Sequence, residues 1–400
     1  MSLRGWLPLV VTLVIQAMVA MALLTLPVMA PVVGQALAVS PALVGVYVSL
    51  CYGGAMVASL LGGDTVRRFG AIRVSQWGLL LCAAGMLLCM LPWLPAMVLG
   101  ALLIGLGYGP ISPASSHLLA RTTAPQRMAM VFSIKQTGVP VGSMMAGALV
   151  PPLLLGLGWQ ASLAVVAVAC VLCAWVAQGL RGDMDADRDP RHQLHWRSLV
   201  RPIQLVLAHR RLSTMAACSF LFSMVQMSFT TYLVTYLNHD LAFGLVAAGL
   251  ALAVAQGGGV GGRIAWGFVA DRWLGASGTL LLLAIVMVAG SLAIALVDIT
   301  TPRWMLMLIL LVFGASAIGW NGVYLAEVAR QAPPGQASLA TGGTLAFTFL
   351  GVVLGPPLFG LLASMSGTYR AGFFALAGAA GLCGLLLLRV GRAAASKAPG

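Results

Sequence analysis

Two cations sit inside apolar sequence. Lys135 lies in Phe132-Ser133-Ile134-Lys135-Gln136-Thr137-Gly138, and Arg263 in Gly262-Arg263-Ile264-Ala265-Trp266-Gly267. A Lys or Arg at the centre of a membrane-crossing helix costs about 2.5–3.5 kcal/mol on insertion scales, so such a residue is expected to face a cavity or a partner and marks function by default. Snorkelling to a polar boundary is the structural alternative, since both stems are long. No acid within the apolar runs is an evident partner for either cation, and an anion from outside the protein would supply the missing charge.

Other polar groups share these runs. Tyr108, Ser112, Ser115, Ser116 and His117 fall in one, Gln226, Thr230 and Tyr232 in another, and Trp320, Asn321 and Tyr324 in a third, while Gln136 adjoins Lys135. A hydroxyl on a helix usually bonds its own backbone. An amide, phenol or imidazole in lipid needs a partner, which makes Asn321, Tyr324 and His117 the better ligand candidates. His117 can also titrate near neutrality, and Glu327 reads as a proton site or a gate partner for a nearby Arg. No Ser-His-Asp arrangement, embedded carboxylate pair or clustered metal ligands occur, so neither an enzyme nor a metal or other cofactor is expected. Cys170-x-x-Cys173 has metal spacing, but without polar flanks it reads as two buried thiols. Glycine runs such as 257–262 and 100–109 lack the lysine of a phosphate loop and read as helix-packing faces.

The elements that must position these groups follow from composition. Hydrophobic residues are 60% of the chain and charged residues 8%, against about 25% charged in soluble domains. Apolar runs near 7–28, 42–62, 74–92, 96–120, 129–154, 160–180, 213–237, 244–268, 278–297, 304–326, 338–363 and 371–389 predict about twelve spans. The fold class expected is an all-α membrane protein of two six-helix bundles, residues 1–180 and 212–400, joined by a cytoplasmic linker at 181–211. The net charge of +13 is a topology signal, not a nucleic-acid footprint. Of 22 Lys and Arg residues, Lys135 and Arg263 fall inside spans, Arg389 ends the last span, and Arg303 and Arg370 lie in outer loops. The others lie at the termini or in every second loop, which places both termini in the cytoplasm of a bacterial-type inner membrane. Met1 to Ala30 has some signal-peptide character, but its length and Pro31 favour an uncleaved first helix. The linker interleaves Asp183, Asp185, Asp187 and Asp189 with arginines and reads as a solvated stretch; 196–207 alternates basic and apolar residues, as an interfacial amphipathic helix would.

The two halves echo one another. Gly62-Gly63-Asp64-Thr65-Val66-Arg67-Arg68-Phe69-Gly70-Ala71-Ile72-Arg73 closes the second span, and Gly267-Phe268-Val269-Ala270-Asp271-Arg272-Trp273-Leu274-Gly275 closes the eighth. The short turns 120–127 and 326–334 form a second pair. Duplicated halves that rock about one site are a transporter design.

These segments resemble the signature between the second and third helices of the major facilitator superfamily: Gly, three residues, Asp-Arg, one residue, Gly. Gly267, Asp271 and Arg272 match it, with Gly275 one place late; Gly63, Arg68, Gly70 and Arg73 match the earlier copy, with Arg67 where the family has its acid. The resemblance implies that Gly63, Arg68, Gly267, Asp271 and Arg272 help hold the cytoplasmic side shut, with Asp64 standing in for the acid that Arg67 replaces. It also implies that the first, fourth, seventh and tenth helices line one cavity. The drug antiporters' Arg-x-x-Gln-Gly element is absent at Ala101-Leu102-Leu103-Ile104-Gly105, and Gly138-Val139-Pro140-Val141-Gly142 echoes their Gly-Pro element loosely. Residues 262–270 resemble the eighth helix of monocarboxylate transporters, where an Arg binds the substrate carboxylate; Gly259 stands where that family has its Asp. The expected function is therefore secondary transport of a small organic anion, a carboxylate, by a monomer in a lipid bilayer, with protons as the coupling ion that the family implies. Substrate contacts are expected from Arg263, Lys135, Asn321, Tyr324, His117, Tyr108, Gln136, Gln226 and Tyr232. The alternative is export of lipophilic compounds, for which 20 methionines would suit an adaptable pocket.

Overall fold

The computed structural model describes residues 3–123, 128–192, 200–333 and 336–395. Parts of the two echoing turns (124–127 and 334–335) and linker residues 193–199, including Arg197, lie outside the described residues. Among the described residues regular structure is helical throughout. The first half comprises α1 (Leu3–Val28), α2 (Ala30–Ala36), α3 (Val44–Phe69), α4 (Ala71–Cys89), α5 (Leu94–Tyr108), α6 (Ile111–Thr122), α7 (Met128–Gln136), α8 (Gly138–Leu157) and α9 (Trp159–Gln178). The linker contributes α10 (Arg181–Met184) and α11 (Val200–Ala208). The second half comprises α12 (Arg210–His239), α13 (Leu245–Val269), a π turn at Ala270–Leu274, α14 (Gly275–Leu296), α15 (Arg303–Gly319), α16 (Asn321–Gln331), α17 (Ala337–Ser366) and α18 (Arg370–Ala395).

Eleven stretches among the described residues are long and apolar enough to cross a bilayer. One of them, Leu245–Leu296, runs 52 residues, far more than the roughly 20 that one crossing needs. It contains the expected eighth and ninth spans, separated at Gly275 with φ +64°, which makes twelve candidate crossings among the described residues. A π turn carries one residue more than an α turn would. That insertion is why Gly275 falls one place late relative to Gly70, which also has a positive φ, +97°.

Three spans are broken where candidate residues lie. The fourth divides into α5 and α6 at Gly109-Pro110, because Pro110 has no N–H to continue the ladder. The fifth divides into α7 and α8 at Thr137, and the tenth into α15 and α16 at Trp320. Tyr108, Gln136 and Asn321 each flank such an interruption.

The chain forms two compact units, Met1–Trp196 with Gly244–Ala253, and Arg197–Phe243 with Val254–Gly400. The start of α13 thus packs with the first unit, where a Cβ on Gly147 would lie 2.6 Å from the Gly249 carbonyl oxygen. The glycine runs do serve close helix approach: in the first unit Gly85 and Gly100 face each other across α4 and α5, each with its missing methyl 2.6 Å from the other's carbonyl oxygen. In the second unit a Cβ on Gly262 would come within 2.8 Å of the Ala315 carbonyl carbon. Of the expected amphipathic stretch 196–207, residues 196–199 lie outside the described residues; in α11 Val206 is fully buried and Gln204 exposed.

Candidate functional site

In the first unit, Lys135 is 1% exposed, and its ammonium donates to Ser112 Oγ on α6 at 3.0 Å. The α7–α8 break allows this: α7 ends at Gln136, and Thr137 Oγ1 donates back to the Ile134 carbonyl at 2.6 Å. Gln136 is half-buried beside it. Behind the break, Gly138 packs so closely on Gln16 of α1 that a Cβ would lie 3.0 Å from Gln16 Cβ. Gln16 is 1% exposed, and among the described residues its Oε1 has no hydrogen-bond partner. Sequence reasoning missed Gln16, although a lone amide in the apolar run Trp6–Val28 was the available signal. Tyr108 stacks edge-on against Tyr52, centroids 5.6 Å apart.

In the second unit, Gln226 Oε1 on α12 accepts from Trp320 Nε1 at 2.9 Å and from Asn321 Nδ2 at 3.5 Å. Trp320 also meets Phe222 and Tyr324, at centroid distances of 5.4 and 5.2 Å. The α15–α16 break is thereby tied to α12 through an amide and two rings. Tyr232 is fully buried and stacks on Phe359 at 4.7 Å, so it belongs to an aromatic core with Tyr369. Gln256, also missed from the sequence, is 2% exposed and donates to Thr230 Oγ1 at 3.3 Å. Arg263 is half-buried on α13, one turn from Trp266, whose Nε1 donates to the Ala315 carbonyl at 2.9 Å. Glu327 is fully buried and accepts from Ser277 Oγ at 2.7 Å and from Arg330 at 2.6 and 2.9 Å.

A third centre lies where the linker meets the first unit, and here the expectation of a solvated acidic stretch is corrected for Asp185, while Asp183, Asp187 and Asp189 are exposed. Asp185 is 4% exposed, and its carboxylate accepts from the backbone N–H of Ile72 at 2.8 Å and of Arg73 at 3.0 Å. These donors belong to the first turn of α4 and have no partner within the helix, and the positive helix end favours an anion there. Gly70 makes the approach possible, since a Cβ there would meet Asp185 Oδ2 at 2.5 Å. His117 pairs with Asp187 at 2.7 Å, and Arg121 pairs with the same carboxylate and donates to the Met184 carbonyl at 2.7 Å. His117 is therefore engaged by the linker. Asp64 pairs with His192 at 2.9 Å.

The second signature copy is arranged differently. Asp271 and Arg272 are exposed, and among the described residues neither makes an ion pair. The extra residue of the π turn changes the register at which they leave the helix. Arg68 lies over the Phe69 ring at 5.3 Å, and Gly63 and Gly267 both face open space.

Comparison with known proteins fits this architecture. The sequence model described as Major Facilitator Superfamily matches residues 11–343. An uncharacterised MFS-type transporter of Mycobacterium tuberculosis, represented from two strains, is 29% identical over 258 residues, 64% of this chain. The match spans 56% of the length of those relatives. The crystal structure of the nucleoside transporter NupG superposes with a TM-score of 0.77 at 16% identity, covering 95% of this chain and 99% of that one. A bacterial homologue of the human lysosomal transporter Spinster gives 0.75 at 13% identity, covering 97% of each chain. The peptide transporter POT, crystallised with sulfate, gives 0.74 at 17% identity over 97% of this chain and 94% of that one. With a matching family model over most of its length and the fold to go with it, this chain belongs to the Major Facilitator Superfamily, a family of multi-pass membrane transporters.

Proposed function

We propose that this protein is a secondary transporter that moves a small organic anion, a carboxylate, across a bacterial inner membrane by alternating access, coupled to protons and with both termini cytoplasmic. The observation that carries the reading is Lys135: an ammonium 1% exposed, inside an apolar helix, held at a helix break by Ser112. Keeping a charge there opposes insertion, and discontinuous helices are where transporters of this design build their sites. Within the second unit, Arg263 is the other cation of this reading, and the Gln226–Trp320–Asn321 cluster offers amide groups and an aromatic wall. Glu327 and His117 are the groups available for proton coupling.

The test is uptake of radiolabelled mono- and dicarboxylates into proteoliposomes, guided by a thermal-shift screen, since a true ligand raises stability by mass action. Lys135→Gln and Arg263→Gln are expected to abolish or strongly reduce carboxylate uptake while leaving insertion intact. Carboxylate uptake unchanged in both variants refutes the anion reading. The rival is export of lipophilic compounds, favoured by an apolar recess in the first unit lined by Leu26, Val33, Leu50 and Met97. Transport of hydrophobic cations without competition from carboxylates would establish that rival.

A further inference from the structure

Each half sets a buried carboxylate against the first turn of its third long helix, and the two halves recruit it from different places. In the second unit, Glu327 comes from α16 and meets Ser277 of α14 at 2.7 Å. In the first unit, Asp185 comes from the linker and meets Ile72 and Arg73 of α4 at 2.8 and 3.0 Å. Gly70 and Gly275 begin the two helices, so Ile72 and Ser277 are the same repeat position, each two residues on. The first half has Arg67 where the second carries Asp271. The linker therefore completes the first half with an acid that this half's own helices lack at that place.

Asp185 is the centre of a longer dock. The Met184 carbonyl accepts from Arg121 at 2.7 Å, Asp187 takes His117 and Arg121, Asp189 donates its N–H to the Arg67 carbonyl at 2.8 Å, and His192 closes on Asp64 at 2.9 Å. Residues 184–192 are thus fastened to α3, α4 and α6 by side chain and main chain alike. The linker's other end is fastened to the second unit: α11 lies on α17, where a Cβ on Gly343 would stand 2.7 Å from the Pro202 carbonyl carbon. Between His192 and Val200 only the seven residues 193–199 remain. Whatever their conformation, seven residues reach at most about 25 Å, and freeing 184–192 roughly doubles that reach.

We propose that Met184–His192 is a clasp that fixes the length of the tether between the two halves, with Asp185 as its positioning residue. Docked, the clasp limits how far the halves separate on the linker side; released, it lets them part further. The inference rests on the transporter reading only in taking the halves to move. Its test reads distance and not uptake, so a wrong substrate class leaves it standing.

The experiment uses full-length protein in lipid nanodiscs, with the seven native cysteines replaced and nitroxides at Thr122→Cys of α6 and Ala329→Cys of α16, both exposed positions. Distance distributions from pulsed electron resonance are compared for the parent, Asp185→Asn, Asp185→Glu and a ten-residue Gly/Ser insertion after residue 195. Asp185→Asn and the insertion are each expected to broaden the distribution and lengthen its mean by about 5 Å or more, within the reach gained. Both changes lengthen one tether in series, so their combination should broaden and lengthen the distribution at least as much as either alone, and Asp185→Glu should restore most of the parental distribution. Trypsin cleavage after Arg188 and Arg191 should rise about tenfold in Asp185→Asn alone, because local opening exposes those bonds. The insertion leaves the dock intact and so tests the tether even if Asp185→Asn fails to fold. Unchanged distances in the insertion variant, or unchanged cleavage in a folded Asp185→Asn, overturn the proposal.

Discussion

Replacing Gly100 with Ala offers a quantitative check on how the first unit is packed. The new methyl would stand 2.6 Å from both the Gly85 carbonyl oxygen and Cys89 Sγ. Ordinary contact begins near 3.4 Å, so α4 and α5 would have to part by about 0.8 Å, because a helix carbonyl cannot swing aside as a side chain can. Cys82, Met86, Cys89, Ala101 and Ile104 are all fully buried, and Cys89 and Ile104 touch the two glycines directly. A gap of 0.5–1 Å forfeits about a quarter to a half of each atom-pair attraction, and across some 40 pairs at 0.1–0.2 kcal/mol that amounts to roughly 1–4 kcal/mol. Better helix propensity returns about 0.8–1 kcal/mol. The net expectation is a loss of about 0–3 kcal/mol, read by reversible unfolding in mixed detergent micelles. Gly85→Ala should cost a similar amount, and the double variant less than the sum, since one separation relieves both clashes. Gly53→Ala is the control: nothing lies within 4 Å of its missing methyl, and it should be neutral or gain up to about 1 kcal/mol. Equal effects at Gly53 and Gly100, or a fully additive double variant, would refute the shared-seam account.

Glu327→Ala removes the acceptor for Ser277 and Arg330; because Arg330 is 69% exposed, the expected loss is about 1–3 kcal/mol and not the full value of a buried pair. Arg330→Ala should cost less than about 1 kcal/mol in the same unfolding assay, and a larger effect from Arg330 than from Glu327 contradicts the assignment. Asp298 closes an exposed turn by accepting from the Thr300 hydroxyl at 2.6 Å and amide at 2.9 Å, contacts that, with Thr301, hold its carboxyl below the ordinary value. A lowered folded pKa means the turn's protection is complete above the ordinary carboxyl range near about 3.9 and fades as pH falls through the depressed value. Hydrogen exchange at the Thr300 amide should show that acid-side loss of protection, and Asp298→Asn should flatten it.

Much of this architecture is legible in the chain because lipid enforces a simple rule: backbone polar groups must be satisfied within each span. Long apolar runs therefore announce their helices, and the glycines within them announce close approach, as Gly85 and Gly100 do. The eighth and ninth spans read correctly as two, while the π turn that joins them appears in the sequence only as Gly275 one position late. Lys135 is conspicuous because a cation in an apolar run is rare, but its contact with Ser112 depends on breaks at Pro110 and Thr137 that hydropathy does not register. Gln16 and Gln256 escaped because an isolated amide barely lowers a hydropathy window. The linker was misread for a different reason. Its alternating acids have the composition of a solvated tail, and the partners of the one buried acid, Asp185, are the N–H groups of Ile72 and Arg73, main-chain donors more than a hundred positions away. Composition carries no trace of which backbone ends await an acceptor.

The linker's attachment decides where this molecule can be divided. Hydropathy alone would cut it after residue 180, where the sixth span ends, yet that cut sends Asp185 away with the wrong fragment and strips α4 of the anion at its leading turn. A division within 193–199 keeps the contacts of 184–192 with the first half and those of α11 with the second. Fragments for co-expression, grafted chimaeras and rearranged chains that begin at the second half should all be designed with that later boundary.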